Sequence, residues 1–357
     1  MFSEKNEARL QAFARMSQTA GKRADYVQGG GGNTSVKLAD GLMAIKASGF
    51  CLSDITPDSA YAVLDYEALR EFYFGREPAQ LEDVEKTGAA VTKANVVPVE
   101  GMELLRPSVE AGFHSILKTF VLHTHSVYGN LAACSVQCRE IAAKAFADAD
   151  YGWGWVPYTD PGANLTFAIR DELRRAEAET GKTPAVILMQ NHGIIVHDDD
   201  AERCLQIHAD ANARLAKAFG LTGDSFPEVC IRKKAEGIWE ADTPELRAAL
   251  TAGRLDYRTL LEQPLYPDQM VFLIGTLFEK KTAPESGEAC IDFADGTLVL
   301  NMNEKKALVI AQTLMAVAFI TEHIEASGYT LSTMGEAAKS FIANWESEKY
   351  RKSLAGK

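Results

Sequence analysis

The sequence predicts an α/β sandwich built around a largely antiparallel sheet, and three observations carry that prediction. Short apolar runs of strand length alternate with amphipathic helical stretches through the first two hundred residues. Some apolar runs come as a pair joined by a tight polar break, without the regular strand-helix-strand repeat of a parallel sheet. The composition, 46% hydrophobic and 24% charged over 357 residues, suits a soluble globular protein with one large domain or two ordinary ones.

The elements follow in order. Residues 4–18 have helical spacing, with Leu10, Phe13 and Met16 as the apolar stripe. Their flank, MFSEKNEARLQAFARM, interleaves charges and lacks an apolar run with a small-residue cleavage site, so it reads as the first helix of the mature protein. A glycine-rich bend, QGGGGNTSVKL, leads into GLMAIKASG, a short apolar strand ending in Ser48-Gly49. A helix is expected from Ser108 through Lys118, with Glu110 early in it. TFVLHTH reads as a buried strand, and SVYGNLAACS resumes helical spacing. GANLTFAIRDELRRAEAET is an amphipathic helix, and TPAVILMQNHGIIVHD reads as two strands joined at Gln190-Asn191-His192-Gly193. DAERCLQIHADANARLAKAFG then forms a helix that Gly220 stops.

Beyond residue 222 the character changes. FPEVCIRKKAEGIWEADTPELRAAL is rich in charge and contains proline, PLYPDQMVFLIG reads as a strand, and EKKALVIAQTLMAVAFITEHIEAS as an apolar helix. The ending MGEAAKSFIANWESEKYRKSL reads as an amphipathic helix. A soft boundary at 222–240 separates residues 1–222 from a C-terminal extension or subdomain, 223–357.

A net charge of -12 argues against a nucleic-acid partner, because such proteins gather positive charge to displace counterions from phosphates. A small phosphorylated ligand stays compatible, since clustered backbone N–H groups hold a phosphate locally. No run approaches the roughly 18–20 uninterrupted apolar residues of a membrane span, so a cytoplasmic protein without a membrane partner is expected. The six cysteines are scattered, and reduced thiols are expected, with the Cys134 and Cys138 pair in the core.

Three of the seven histidines cluster by motif. On a strand, side chains two apart share a face, so His123 and His125 project together and suit one metal ion. Taken alone, the pair equally suits half-buried histidines bonded to backbone carbonyls. His192, at a polar break followed by glycine, adds a third imidazole, and the set makes a catalytic metal site with open coordination positions plausible. Glu110 reads either as a first-turn glutamate favoured by the helix dipole or, beside a cation, as ligand, general base or both. His114, His197, His208 and His323 read as structural.

GGGGNTS lacks the Gly-Lys-Ser/Thr ending of a P-loop and does not match the dinucleotide fingerprint. It offers successive N–H groups with the side chains of Asn33, Thr34 and Ser35, and Ser48-Gly49 and Ser108 are two further small polar sites. Each alone is an ordinary turn; converging, they would bind a phosphate without any lysine.

GGGGNTSV, KASG, RPSVEAGFH, VLHTHSV and QNHGIIV, in this order and spacing, resemble the class II aldolase/adducin family over about residues 5–220. The resemblance implies a three-layer α/β/α sandwich, here with a mixed C-terminal extension, a homotetramer, and one divalent ion, zinc or else manganese or cobalt. It implies metal ligation by His123, His125 and His192, acid/base work by Glu110, and phosphate binding by Asn33, Ser48, Gly49 and Ser108. One departure is Val109, where many members carry a second serine. RPSVE, YPDQMVFLIG and the ending IANWESEKYRKSL are most similar to the aldolase portion of bacterial rhamnulose-1-phosphate aldolase/alcohol dehydrogenase-type proteins. No GxGxxG turn accompanies them, so no NAD chemistry is expected.

The activity this implies is retro-aldol cleavage of a ketose 1-phosphate to dihydroxyacetone phosphate and a short aldehyde, through a metal-stabilised enediolate. A tyrosine donor is expected, with Tyr128, Tyr151 and Tyr158 as candidates. The same scaffold accommodates a sugar-phosphate 4-epimerase, a decarboxylating lyase or a thiosugar-phosphate dehydratase. A non-catalytic adducin-like interaction module is a further class, and a metal sensor or storage protein another; the intact set of three histidines and one glutamate speaks against the interaction module.

Overall fold

The computed structural model describes residues 2–279 and 283–344. The chain runs α1 (Phe2–Gly21), β1 (Asn33–Lys37), β2 (Leu42–Lys46), β3 (Tyr61–Asp65), α2 (Tyr66–Gly75), α3 (Val84–Ala94), α4 (Ala111–Ile116) and β4 (Phe120–Thr124). It continues through α5 (Val127–Ala133), α6 (Cys138–Ala145), β5 (Trp153–Val156), α7 (Ala163–Thr180), β6 (Val186–Met189), β7 (Gly193–Asp198) and α8 (Ala201–Ala218).

The seven strands form one sheet in the order β3-β2-β1-β4-β7-β6-β5. Every pairing is antiparallel except β5 with β6, as the hairpin-like spacing of the apolar runs predicts. Residues alternate between two faces. On β4 and β7, Leu122, Ile194 and Val196 join one apolar core with Leu10, Phe13 and Leu215, whereas Val121 and Ile195 join another with Phe113 and Phe167. Helices α1 and α8 cover the first face and α2, α4 and α7 the second, giving three layers, α/β/α. Leu10, Phe13 and Met16 of α1 are buried, each contributing about 1.5–3 kcal/mol by leaving water.

The remaining elements are β8 (Ile231–Ala235), β9 (Ile238–Ala241), α9 (Pro244–Thr251), α10 (Tyr257–Glu262), α11 (Pro267–Leu273), β10 (Leu277–Glu279), β11 (Ala289–Asp292), β12 (Thr297–Asn301), α12 (Glu304–Ala326) and α13 (Glu336–Asn344). Their strands form a second sheet, β10-β11-β12-β9-β8. Helix α12 has the length and apolarity of a bilayer span, but 72% of its apolar window is buried within the fold. It packs on α5, α9 and α11, and its side chains continue the core of the first sheet.

Three expectations are corrected. PLYPDQMVFLIG is not a strand: Pro267 opens the seven-residue helix α11, whose residues are all buried, so no polar face marks its period. The helix expected from Ser108 begins only at Ala111 and ends at Ile116, leaving Glu110 at its N-cap. Asn33, read as part of the glycine-rich bend, is the first residue of β1. The final amphipathic stretch is helical through Asn344, and its residues 345–357 lie outside the described residues.

Candidate active site

Four segments meet at one end of the first sheet. Asn33 opens β1 directly opposite His123 near the end of β4, and residues so paired project to the same side. His125 lies one residue past β4, yet its Nε2 comes within 3.2 Å of His123 Nε2. His192 sits in the turn between β6 and β7, where Met189 pairs with Gly193. That turn needs a left-handed residue, supplied by Asn191 with φ of 51°. The Asn191 side chain is clamped from the C-terminal portion: Nδ2 donates to the carbonyls of Leu265 at 2.9 Å and Ser332 at 2.8 Å, and Oδ1 accepts from Ser332 Oγ at 2.8 Å.

Hydrogen bonds set the histidine tautomers. His123 Nδ1 lies 3.0 Å from the Ile194 carbonyl and His125 Nδ1 lies 2.5 Å from Asp268 Oδ2. Both partners accept, so both Nδ1 atoms donate, and each ring turns its Nε2 toward the other. Burial, with His125 as a lesser cause, holds His123 well below the usual imidazole range, so it is neutral. With both rings neutral, lone pairs so placed repel unless a cation lies between them. Tetrahedral zinc at about 2.0–2.1 Å from each nitrogen separates its ligand atoms by roughly 3.4 Å, close to the spacing seen. One ligand atom from each of His123, His125 and His192 lies within 4.8 Å of the others, so this donor set fits a divalent ion.

Glu110 completes the group. Its Oε1 lies 3.4 Å from His192 Nε2 and its Oε2 lies 3.6 Å from His123 Nε2. The side chain makes no capping bond to α4, so the carboxylate serves the histidines rather than the helix end. Asn33 Nδ2 donates to Glu110 Oε2 at 2.6 Å and to Ser108 Oγ at 3.0 Å.

A cleft with ≈ 500 Å³ of atom-free space, part of it open to solvent, reaches this group. Asn33, Ser48, Gly49 and Ser108 all line it, together with Val109, Glu110, His125 and His192. Two bend glycines are required by close approaches. A Cβ on Gly31 would fall 2.1 Å from Asp268 Oδ2, and one on Gly32, whose φ is +66°, 2.4 Å from the His123 carbonyl oxygen.

Residues 11–217 match the sequence profile of the Class II Aldolase and Adducin N-terminal domain. The chain belongs to the class II aldolase/adducin family. Similar solved structures include the N-terminal class II aldolase domain of a conserved protein from Thermoplasma acidophilum, 20% identical, covering 57% of this chain and 91% of that one, with TM-score 0.47. A sugar-phosphate aldolase from Thermotoga maritima is 14% identical, covering 59% and 92%, with TM-score 0.39. An L-fuculose-1-phosphate aldolase from Thermus thermophilus is 14% identical, covering 58% and 92%, with TM-score 0.35. No curated protein matches the chain.

Within this family member the structure also displays residues that sequence reasoning passes over. Lys46, the first residue of KASG, lines the cleft and donates from Nζ to the Phe50 carbonyl at 2.6 Å, so the loops do not converge without a lysine. His114, read as structural, bonds Asn33 Oδ1 through Nε2 and Ser35 Oγ through Nδ1 at 2.7 Å, fixing the asparagine from behind. Asp268 and Pro267 arrive from the C-terminal portion, inside a stretch whose apolar letters alone suggest a strand. His197, His208 and His323 remain outside the cleft lining.

None of the candidate tyrosines lines the cleft. The Tyr128 hydroxyl accepts from the Phe226 N–H at 3.1 Å, Tyr151 donates to Asp210 at 2.7 Å, and Tyr158 donates to Asp160 at 3.3 Å. Tyr266, outside that set, places its ring edge-on to His125 with centroids 6.2 Å apart. Cys134 and Cys138 are buried free thiols, and burial pushes Cys138 up to about 12.

Proposed function

We propose that the protein is a divalent-metal-dependent aldolase, a carbon-carbon lyase that splits a ketose 1-phosphate into dihydroxyacetone phosphate and a short aldehyde. The observation that carries this reading is the approach of His123 Nε2 and His125 Nε2 to 3.2 Å beside a buried glutamate that lines the cleft. His123, His125 and His192 would hold the ion, with zinc favoured by the all-imidazole set and manganese or cobalt as substitutes. When bound, the ion supplies positive charge that favours an enediolate over a free carbanion.

The chain's own groups do the rest. Ser48, Gly49, Ser108 and Asn33 would take the phosphate, and the Lys46 ammonium adds charge that offsets the hydroxyl missing at Val109. Bond cleavage leaves the electron pair on the ketone-bearing fragment while the distal hydroxyl passes its proton through water to the Glu110 carboxylate and becomes the aldehyde. Glu110 then delivers a proton to the enediolate carbon, its Oε2 steadied by Asn33. A tetramer belongs to this reading through the family resemblance alone, and a cytoplasmic setting is carried over from the expectation drawn on the sequence.

The test reconstitutes the purified protein with zinc, manganese or cobalt and offers a panel of ketose 1-phosphates, following dihydroxyacetone phosphate with and without chelator. Metal-dependent release, lost in His192→Ala and strongly reduced in Glu110→Ala, supports the aldolase. Stoichiometric metal with no release from any sugar discards it in favour of the epimerase, decarboxylase or dehydratase chemistries of the same scaffold.

A further inference from the structure

We propose that Asp268 is a positioning residue of the metal site, so that the portion of the chain beyond the family-matched residues 11–217 completes it. This inference rests on the metal-dependent reading above. Asp268 is fully buried in the first turn of α11, and its Oδ2 lies 2.5 Å from His125 Nδ1, 143 positions earlier in the chain. Four observations separate this contact from an incidental buried pair.

First, the acceptor fixes which histidine nitrogen carries the proton. A neutral imidazole exchanges its two tautomers at little cost, and only the Nδ1-protonated one turns a lone pair toward His123 and His192. A carboxylate on the far nitrogen also strengthens the near one as a donor, the arrangement found behind many metal-bound histidines. Second, His123 is fixed in the same sense by the Ile194 carbonyl, so two independent acceptors aim their histidines at one point. Third, the backbone is shaped around the pair: Gly31 leaves open the space in which any Cβ would meet Asp268 Oδ2 at 2.1 Å and His125 Nδ1 at 3.0 Å. Fourth, the same C-terminal segment holds a second ligand-bearing turn, since Leu265, three residues before Asp268, accepts from Asn191 beside His192. The segment around residues 265–268 therefore braces both ends of the histidine set.

The test measures zinc affinity by chelator competition, the visible spectrum of the cobalt-substituted protein and the melting temperature of the metal-free protein. Asp268→Ala is expected to weaken zinc binding by about 10- to 100-fold and to shift the cobalt bands. Asp268→Asn keeps an oxygen that accepts from Nδ1 and is expected to recover part of the affinity. Thr243→Ala is the structural control: the buried Thr243 hydroxyl accepts from the Cys230 N–H and donates to the Cys230 carbonyl away from the cleft, so its loss lowers the melting temperature and leaves zinc affinity within about twofold. Zinc affinity unchanged in Asp268→Ala, or weakened equally in Thr243→Ala, overturns the inference while leaving the aldolase reading in place. Where Asp268→Ala does not fold, Asp268→Asn decides alone, and unchanged affinity and cobalt spectrum in it overturn the inference. No metal bound by the unsubstituted protein overturns both.

Discussion

Asn33 Nδ2 and Glu110 Oε2 lie 2.6 Å apart, and His114 holds Asn33 from the opposite side. The chain of contacts from Ser35 through His114 and Asn33 ends on the carboxylate proposed to move a proton. Asn33→Ala is therefore expected to lower kcat by up to about a hundredfold through misplacement of Glu110, with bound metal unchanged. Steady-state kinetics with metal analysis of the same preparation checks it, and metal loss in step with activity would argue for a different role.

Metal removal is expected to lower stability measurably. An ion present at a thousandfold excess over its dissociation constant adds about 4 kcal/mol, which shifts the melting temperature by several degrees in a chain of this size. Melting curves with and without chelator check this. In His192→Ala the difference should vanish.

Lys37 gives a pH dependence of known sign. Its Nζ donates to the Lys118 carbonyl at 3.1 Å, and burial, aided by Arg70, lowers its pKa to about 7. Between about pH 7 and 10.5 the unfolded chain binds a proton that the folded one does not, so this group's contribution to stability rises with pH across that window. Lys37→Met is expected to stabilise the protein below pH 7, on the order of a few kcal/mol, and to remove that part of the slope. Urea midpoints at pH 6 and pH 9 measure both.

His197 and His208 act at the acid end. Burial lowers each to about 3, with Lys118 a lesser cause at His197 and Arg23 at His208. Their stabilising contribution is complete above about pH 6.5 and is lost progressively as pH falls toward 3, because the unfolded chain takes up protons the folded one refuses. Each imidazole contributes a slope of about 1.4 kcal/mol per pH unit in that window. Denaturation at several pH values from 7 to 4 tests this, and a flat profile would contradict it.

Much of the first sheet and its histidines is legible in the sequence, because both are local. The two-residue period of VLHTH aims His123 and His125 together, and the break in QNHG announces the turn that carries His192. Helix α11 is not legible: seven residues buried on every side show no amphipathic period, and an apolar run of that length reads equally as a strand. Asp268 is hidden for a different reason. A single acidic residue 143 positions from His125 carries no spacing signal, and only the tertiary fold brings the two together. Lys46 stands in plain view as the first letter of KASG, but at a strand end a lysine is most simply read as solvated. His114 looks ordinary because its partners, Asn33 and Ser35, lie on the interior strand β1 rather than along its own helix.

The burial of α12 has a practical consequence for dissecting the protein. A chain cut near residue 222 would lose the helix that roofs α5 and, with it, the acceptor on His125 and the clamps on Asn191. The fragment would retain every residue of the recognised sequence signature and still offer an oily face to water and a loosened imidazole set. Inactivity in such a fragment would report a broken scaffold rather than absent chemistry, so activity screens call for the intact polypeptide, while fragments produced by nicking the chain near residue 222 should stay associated until denaturant is added.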